Sequence, residues 1–199
     1  MQSIRTPCKS LPTNSSHVRL TAAYLEFLHD EGIAIGWPEQ DEVQAFTCLD
    51  LNLLESAPVN PFQTYEGRDL NPTVLDKAAC MFLHITGGHI FQNGNKRTGV
   101  LALDQFLLLN GVWLFLPEKK MTRLAERTAD RKTLNISDEQ MLMEIHRALA
   151  KNSVPIRVFR AEDMAFYRRL LKVRKMIREH PQMQPGARPV QVTRQRPYS

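Results

Sequence analysis

The chain has 199 residues, of which 43% are hydrophobic, and a formal net charge of +5. This length and composition predict one globular domain with an appendage rather than two full domains. No basic start leads into an apolar stretch, and no run approaches the ~20 apolar residues that a membrane span requires, so we expect a soluble, cytoplasmic protein. Three cysteines, an odd number without metal-ligand spacing, argue against a disulfide framework or a zinc site: Cys8, Cys48 and Cys80.

The positive charge is concentrated near the C-terminal end. Residues 160–199 contain ten Lys or Arg against three Asp or Glu, a net +7, so the remainder of the chain carries −2. Residues 152–180 are expected to form a basic helix, and residues 181–199 a proline-rich, disordered tail. This composition suits contact with RNA, the ribosome or an acidic partner protein, and a solvated helix with a loose end explains it equally well. Residues 1–16 are expected to be an N-terminal extension.

Helical periodicity dominates the chain. Apolar residues at i, i+3 and i+4 predict the buried face of a first helix at Val18, Leu20, Tyr24, Leu25 and Leu28. The same spacing predicts a second helix at Val43, Phe46, Leu49, Leu53 and Leu54. A third helix is expected to start at Asn71-Pro72, a cap followed by proline at the first helical position, and to end at Gly87-Gly88.

Residues 60–69, between the second and third helices, lack this periodicity and contain Pro61, Thr64, Tyr65 and Gly67. An extended hairpin is expected there, with an ordinary surface turn as the alternative. Beyond the third helix, an apolar helix is expected from Lys96 to a glycine cap at Asn110-Gly111, and a short strand or extended link over residues 113–116. Two more helices are predicted, one from Met121 to Ala129 and one from the capping box Ser137-Asp138-Glu139-Gln140 to about Lys151.

The residues between the third helix and the apolar helix favour an anion-binding site. Gly94 permits a tight backbone turn, and Asn95 is expected to cap the following helix, whose N-terminus attracts negative charge. Lys96 and Arg97 add a point charge and a forked guanidinium in the first turn, and His89 lies close enough to act as a base. A polyphosphate is the natural ligand of such a site.

Each part of this motif has a simpler explanation when it is taken alone. A Gly-Asn pair is more often a helix cap, and a histidine before a turn is more often a solvated loop residue. Capping, however, explains neither His89 nor two cations at a helix start, where the helix dipole disfavours positive charge. The joint pattern therefore favours a functional site.

The motif resembles the signature of the Fic superfamily, His-x-Phe-x-(Asp/Glu/Asn)-Gly-Asn-(Gly/Lys)-Arg. It is carried here by His89, Phe91, Asn93, Gly94, Asn95, Lys96 and Arg97. The chain is most similar to the death-on-curing (Doc) branch, because Lys96 and Val100 stand where adenylylating members carry a second glycine and a further arginine. Further segments follow the pattern of this branch, so that the resemblance covers roughly residues 17–130: 54–57, 61–67, 71–73 and 77–79.

The resemblance implies an all-α fold, with a Fic/Doc-like helical catalytic domain over residues 17–151 and a short β-hairpin flap next to the active-site loop. It implies that His89 is the general base and that a nucleotide's phosphates bind at Gly94, Asn95, Lys96 and Arg97. A magnesium ion would use Asn93, a neutral residue where the family more often has an acid. The flap would hold the target protein by strand-like pairing through Phe62, Gln63, Thr64 and Tyr65.

For the Doc branch, the resemblance implies a growth-arresting toxin that transfers the γ-phosphate of ATP, or of another nucleoside triphosphate, to a Ser or Thr hydroxyl of a translation elongation factor. Two alternatives remain open: an adenylyl or other nucleotidyl transferase on the same scaffold, and an inactive binding protein that acts through its basic tail. The inhibitory pattern (Ser/Thr)-x-x-x-Glu-(Gly/Asn) of some relatives is not matched at Glu31-Gly32 or Glu66-Gly67. A separately encoded antitoxin is therefore the expected restraint.

Overall fold

The computed structural model of the chain describes residues 17–34 and 48–156, with the backbone alone for residues 31–34. The predicted N-terminal extension, most of the basic helix and the proline-rich tail lie outside these residues, as do Cys8 and residues 43–47 of the second predicted helix. Among the described residues, no helix combines the length and the apolar composition needed to cross a membrane.

Six α-helices make up most of the described chain: α1 (Ala22–Ala34), α2 (Leu51–Ser56), α3 (Val74–Gly87), α4 (Asn95–Leu109), α5 (Glu118–Ala129) and α6 (Asp138–Asn152). A 3-10 turn (Asn60–Phe62) leads into a hairpin of β1 (Thr64–Tyr65) and β2 (Arg68–Asp69), and a second antiparallel pair joins β3 (Val112–Leu114) to β4 (Ser153–Pro155). The predicted all-α fold with a short hairpin is confirmed. Residues 153–155, where the sequence predicts the basic helix to have begun, form β4 instead.

The centre of the fold is the antiparallel pair α3 and α4. Helix α3 packs against α4, α5 and α6, and α1 packs against α4. Nearly every residue of α3 is buried, as expected of a helix surrounded by other elements. The loop between α3 and α4 contains the predicted anion-binding motif. Each end of this loop is therefore attached to a helix that packs in the centre of the fold.

Several predicted helix starts differ from the structure: α1 begins at Ala22, after Val18 and Leu20, and α5 begins at Glu118, three residues before Met121. Helix α3 begins at Val74 and not at Asn71-Pro72, because Thr73 and Asp76 form a reciprocal capping box that satisfies the first free amides. Helix α2 begins at Leu51, where the side chain of Asp50 accepts hydrogen bonds from the first turn. Leu49 and Leu53 are exposed rather than buried, and among the described members of the predicted stripe only Leu54 reaches the core.

Candidate functional site

The loop from His89 to Gly94 is held by its buried middle. Ile90 and Phe91 are fully buried. The carbonyl of Ile90 accepts a hydrogen bond from the amide of Leu49 at 2.9 Å, and Phe91 forms an isolated antiparallel bridge with Cys48. Phe91 is therefore the apolar anchor of the loop.

His89 follows the end of α3 and is exposed, in the left-handed backbone region with φ of 52°. For a residue other than glycine, this conformation costs about 1–2 kcal/mol. Gly88, the C-cap of α3, precedes His89, and the buried Ile90 follows it. The imidazole is exposed to solvent at the start of the loop.

The side chain of Asn95 closes the loop and does not cap the helix, so that prediction was wrong. Its Oδ1 accepts from the amide of Phe91 at 2.9 Å, and its Nδ2 donates to the carbonyl of Phe91 at 2.7 Å. The N-cap is Gly94, whose φ of 76° suits glycine, and the first intrahelical hydrogen bond runs from the amide of Thr98 to the carbonyl of Gly94. Asn95 is thus the first helical residue.

Helix α4 consequently starts without a side-chain cap. Helix α5 also starts without one, whereas three helices start with a side-chain cap, α2 with Asp50, α3 with Thr73 and α6 with Ser137. Lys96 and Arg97 lie in the uncapped first turn, where the dipole disfavours positive charge unless an anion is present. The amides of this turn and the two cations form a site suited to phosphate oxygens.

A cleft of about 480 Å³ opens beside these cations, between α4, β3 and α5. Val100, Leu101, Leu114, Met121 and Ala125 provide much of its apolar lining. Charged residues also border it: Lys96, Arg97, Asp104, Glu118 and Glu126. The cleft therefore has cations suited to an anion at one end and apolar side chains along its base. Its walls come from three separate segments of the chain, so the sequence alone did not predict it.

The buried His29 of α1 contacts the loop through Asn93 and Phe91. Its Nε2 lies 3.3 Å from the carbonyl oxygen of Asn93, which can only accept, so Nε2 is the donor. Its ring lies against that of Phe91, with 4.3 Å between ring centroids. Sequence reasoning missed His29, although its place four residues after Leu25 put it on the predicted buried face of the first helix.

The residues predicted to form the flap divide into two groups. Phe62 is half-buried in the 3-10 turn, where its ring packs edge-on against Phe106. Gln63, Thr64 and Tyr65 are exposed on and before β1. The turn between β1 and β2 has Glu66 and Gly67 at positive φ, which matches the twist of a two-residue hairpin.

A preformed metal centre is not part of the described region, where no group of three or more His, Cys, Asp or Glu side chains is placed to hold a metal ion. Asn93, half-buried beside the helix start, offers a neutral amide oxygen. One such oxygen fits a magnesium ion that arrives with a nucleotide, since magnesium keeps several waters and takes its remaining ligands from phosphates.

The comparisons with known proteins agree with this geometry. Residues 17–107 match the model of the Fic/DOC family. The chain is also similar to a protein named Toxin Doc from Mycolicibacterium smegmatis (strain ATCC 700084 / mc(2)155), at 40% identity over 65 residues. That alignment covers 33% of this chain and 50% of the relative, so the chain matches only half the length of that protein. The resemblance predicted from the motif is confirmed over the matched segment.

Proposed function

We propose that this chain is a Doc-like protein kinase, a toxin that transfers the γ-phosphate of ATP or another nucleoside triphosphate to a Ser or Thr hydroxyl of a translation elongation factor. The observation that carries the proposal is the exposed His89 beside a helix N-terminus that lacks a side-chain cap and bears Lys96 and Arg97 in its first turn. The match to the Fic/DOC family and the similarity to a protein named Toxin Doc support it.

In this mechanism His89 accepts the proton of the target hydroxyl as the oxygen attacks the γ-phosphorus. The bond between that phosphorus and its bridging oxygen breaks, and the nucleoside diphosphate leaves. Its left-handed backbone and the buried residues after it hold the imidazole in place before the substrate arrives. Lys96, Arg97 and the first-turn amides of α4 neutralise charge on the phosphate oxygens. Phosphoryl transfer depends mainly on such positioning and charge stabilisation. Asn93 would help to hold a magnesium ion that arrives with the nucleotide, and the ion would supply further charge neutralisation.

The choice of the γ- over the α-phosphate depends on the α4 residues that border the cleft. Lys96 stands where adenylylating relatives have glycine, and its long side chain crowds the position that the α-phosphate would occupy. Val100, which stands where those relatives have an arginine, lines the cleft with an apolar surface. Both substitutions favour the kinase over nucleotidyl transfer.

The cleft also suits the restraint expected from a separate antitoxin. An amphipathic segment could bury apolar side chains on Leu101, Leu114 and Met121 while its charged groups meet the border of the cleft. Such a segment would lie over the phosphate end at Lys96 and Arg97. Binding of nucleotide and of antitoxin should then be mutually exclusive.

The test uses ATP labelled separately at the γ- and the α-phosphate, added with magnesium and bacterial lysate to the purified protein. We expect γ-label on one protein band, lost in His89→Ala and strongly reduced in Lys96→Gly. Lys119→Gly is the matched control, because Lys119 is an exposed cation at the same second position of helix α5. It carries the same helix-propensity cost, about 1 kcal/mol, outside the site.

Each other outcome identifies an alternative. Transfer of α-label, dependent on His89, would establish a nucleotidyl transferase. A toxic effect in cells that survives His89→Ala but requires residues 160–199 would establish the inactive binding protein that acts through its basic tail. Equal loss of γ-label in Lys96→Gly and Lys119→Gly would contradict the role given to Lys96.

A further inference from the structure

The flap has little support from its own residues. Residues 63–70 are all exposed, and each of its two strands is only two residues long. A two-stranded hairpin of this size is at best marginally stable in water. Its conformation must therefore be set by contacts at its base.

Those contacts converge on Lys77, which is 2% exposed in the first half of α3. Its Nζ donates to Oδ2 of Asp69 in β2 at 3.1 Å and to the carbonyl oxygen of Asn71. The same ammonium lies 5.3 Å from the centre of the Phe62 ring, at the other end of the flap. Asn71 in turn donates from Nδ2 to the carbonyl of Pro61 at 3.2 Å, which ties the two ends together.

A buried ammonium is costly unless it is paired and hydrogen-bonded. Lys77 meets this requirement only while Asp69 and Asn71 stay in place. If the flap moved away from its observed conformation, the buried ammonium would lose both hydrogen-bond partners. The lysine therefore favours one conformation of the hairpin. No apolar side chain at this position could do the same, because it would gain nothing from β2.

We propose that Lys77 is a positioning residue that fixes the flap relative to His89 for the protein substrate, an inference that rests on the kinase function proposed above. Helix α3 carries the flap anchor at Lys77 and ends at Gly87, two residues before His89. Ten residues of helix separate Lys77 from Gly87, a distance of about 15 Å along the helix axis. One rigid element thereby sets the distance between the segment that receives the target backbone and the base that takes its proton.

The first test is hydrogen exchange of the full chain, which does not depend on catalysis. The amide of Leu70 donates to the carbonyl of Gln63 at the flap base. In Asp69→Asn and in Lys77→Met we expect its exchange to rise about tenfold, as loss of one charge-assisted hydrogen bond allows, while the amides of α3 keep their protection. Glu66→Gln, which removes an exposed carboxylate from the same hairpin, is the matched control and should exchange like the parent.

Unchanged exchange at Leu70 in Asp69→Asn would overturn the proposal, and so would an equal rise in Glu66→Gln. If Lys77→Met does not fold, Asp69→Asn alone tests the proposal, because Asp69 is exposed and its substitution leaves the core intact.

The second test separates positioning from a merely structural role. With a purified bacterial elongation factor as the protein substrate, Asp69→Asn should lower kcat/KM for that substrate about tenfold and leave the KM for ATP unchanged, because only the target's position relative to His89 is affected. An unchanged kcat/KM for the protein substrate, or an equal rise in the KM for ATP, would overturn the assignment. If the unmodified protein transfers no label, the proposed function fails, and hydrogen exchange still decides whether Lys77 anchors the flap.

Discussion

At the scale of single residues, the amide side chain of Asn95 fixes the shape of the loop between α3 and α4. It both accepts from and donates to the backbone of Phe91, as a strand neighbour would. A carboxylate can accept only, and it would face the carbonyl of Phe91 with a second acceptor. The isosteric change Asn95→Asp therefore tests the loop closure directly.

We expect Asn95→Asp to lower the free energy of unfolding by about 1–3 kcal/mol, the cost of an unsatisfied group and a repelled carbonyl. Urea denaturation measures this. Gln92→Glu is the control, because it adds the same charge to an exposed position of the same loop and should change stability by less than about 0.5 kcal/mol. Equal losses in the two variants would show that charge in the loop, and not the lost donor, is responsible.

The identity of the motif residues could be predicted from the sequence, but not all of their roles. A histidine, a glycine turn and two cations before an apolar helix are adjacent in the chain, so pattern alone brought them together. The role of Asn95 depends on the positive φ of Gly94, which moves the helix start by one residue. His29 and Lys77 contact the site and the flap from distant positions. The predicted buried face of the first helix could have singled out His29, whereas no pattern in the sequence marked Lys77 as buried.

At the scale of elements, α3 and α4 approach each other closely at Gly99. A Cβ added there would lie 2.1 Å from Oγ1 of the buried Thr86 and 3.4 Å from its amide nitrogen. The hydroxyl of Thr86 has no hydrogen-bond partner among the described residues, so its removal costs little. Because α3 ends before His89 and α4 begins at Asn95, separation of these helices would also move His89 relative to the start of α4.

Gly99→Ala should therefore destabilise the protein by about 1–3 kcal/mol through overpacking, although alanine gains about 1 kcal/mol of helix propensity over glycine. Thr86→Ala should be nearly neutral, and the double variant should recover most of the loss. A double-mutant cycle by urea denaturation is expected to give a coupling of at least about 1 kcal/mol. Additive effects would mean that the helices adjust without contact at this point.

Element types followed well from periodicity and capping. The capping box of α6, the glycine stops of α3 and α4, and the hairpin are local in sequence, and the structure confirms them. The starts of α2 and α3 were misplaced because two competing caps, Asp50 and Thr73, lay a few residues away and formed better hydrogen bonds. The cleft could not be predicted, since its walls meet only in the folded chain.

At the scale of the whole molecule, Arg131 connects the end of α3 to the start of α6. Its buried guanidinium donates from Nη1 to the carbonyl of Gly87 at 3.2 Å and from Nε to Oδ1 of Asp138 at 2.5 Å. The hydrogen bond from Arg131 lowers the pKa of Asp138 below its ordinary value of 3.8. Burial, and then the positive charge of Arg131, lowers the pKa of the nearby His84 below 6.5, against the opposing effect of Asp138.

These two shifts predict that acid destabilises the protein in two stages. Because the pKa of His84 is lower in the folded protein than in the unfolded chain, the unfolded chain binds its proton at a higher pH. The free energy of unfolding therefore falls as pH drops below 6.5, and the fall ends below the folded pKa. The depressed pKa of Asp138 contributes stability above 3.8, which is lost as pH falls through the folded value.

Urea denaturation of the full chain at neutral pH, between 6.5 and 3.8, and below 3.8 separates the stages. We expect Asp138→Asn to be less stable than the parent at neutral pH and to approach it in the most acidic range, where the parent's carboxylate is itself protonated. In His84→Gln the first stage should shrink and the second should persist. A constant difference between the parent and Asp138→Asn at all three pH values would mean that Asp138 acts through its shape and not through its charge on Arg131.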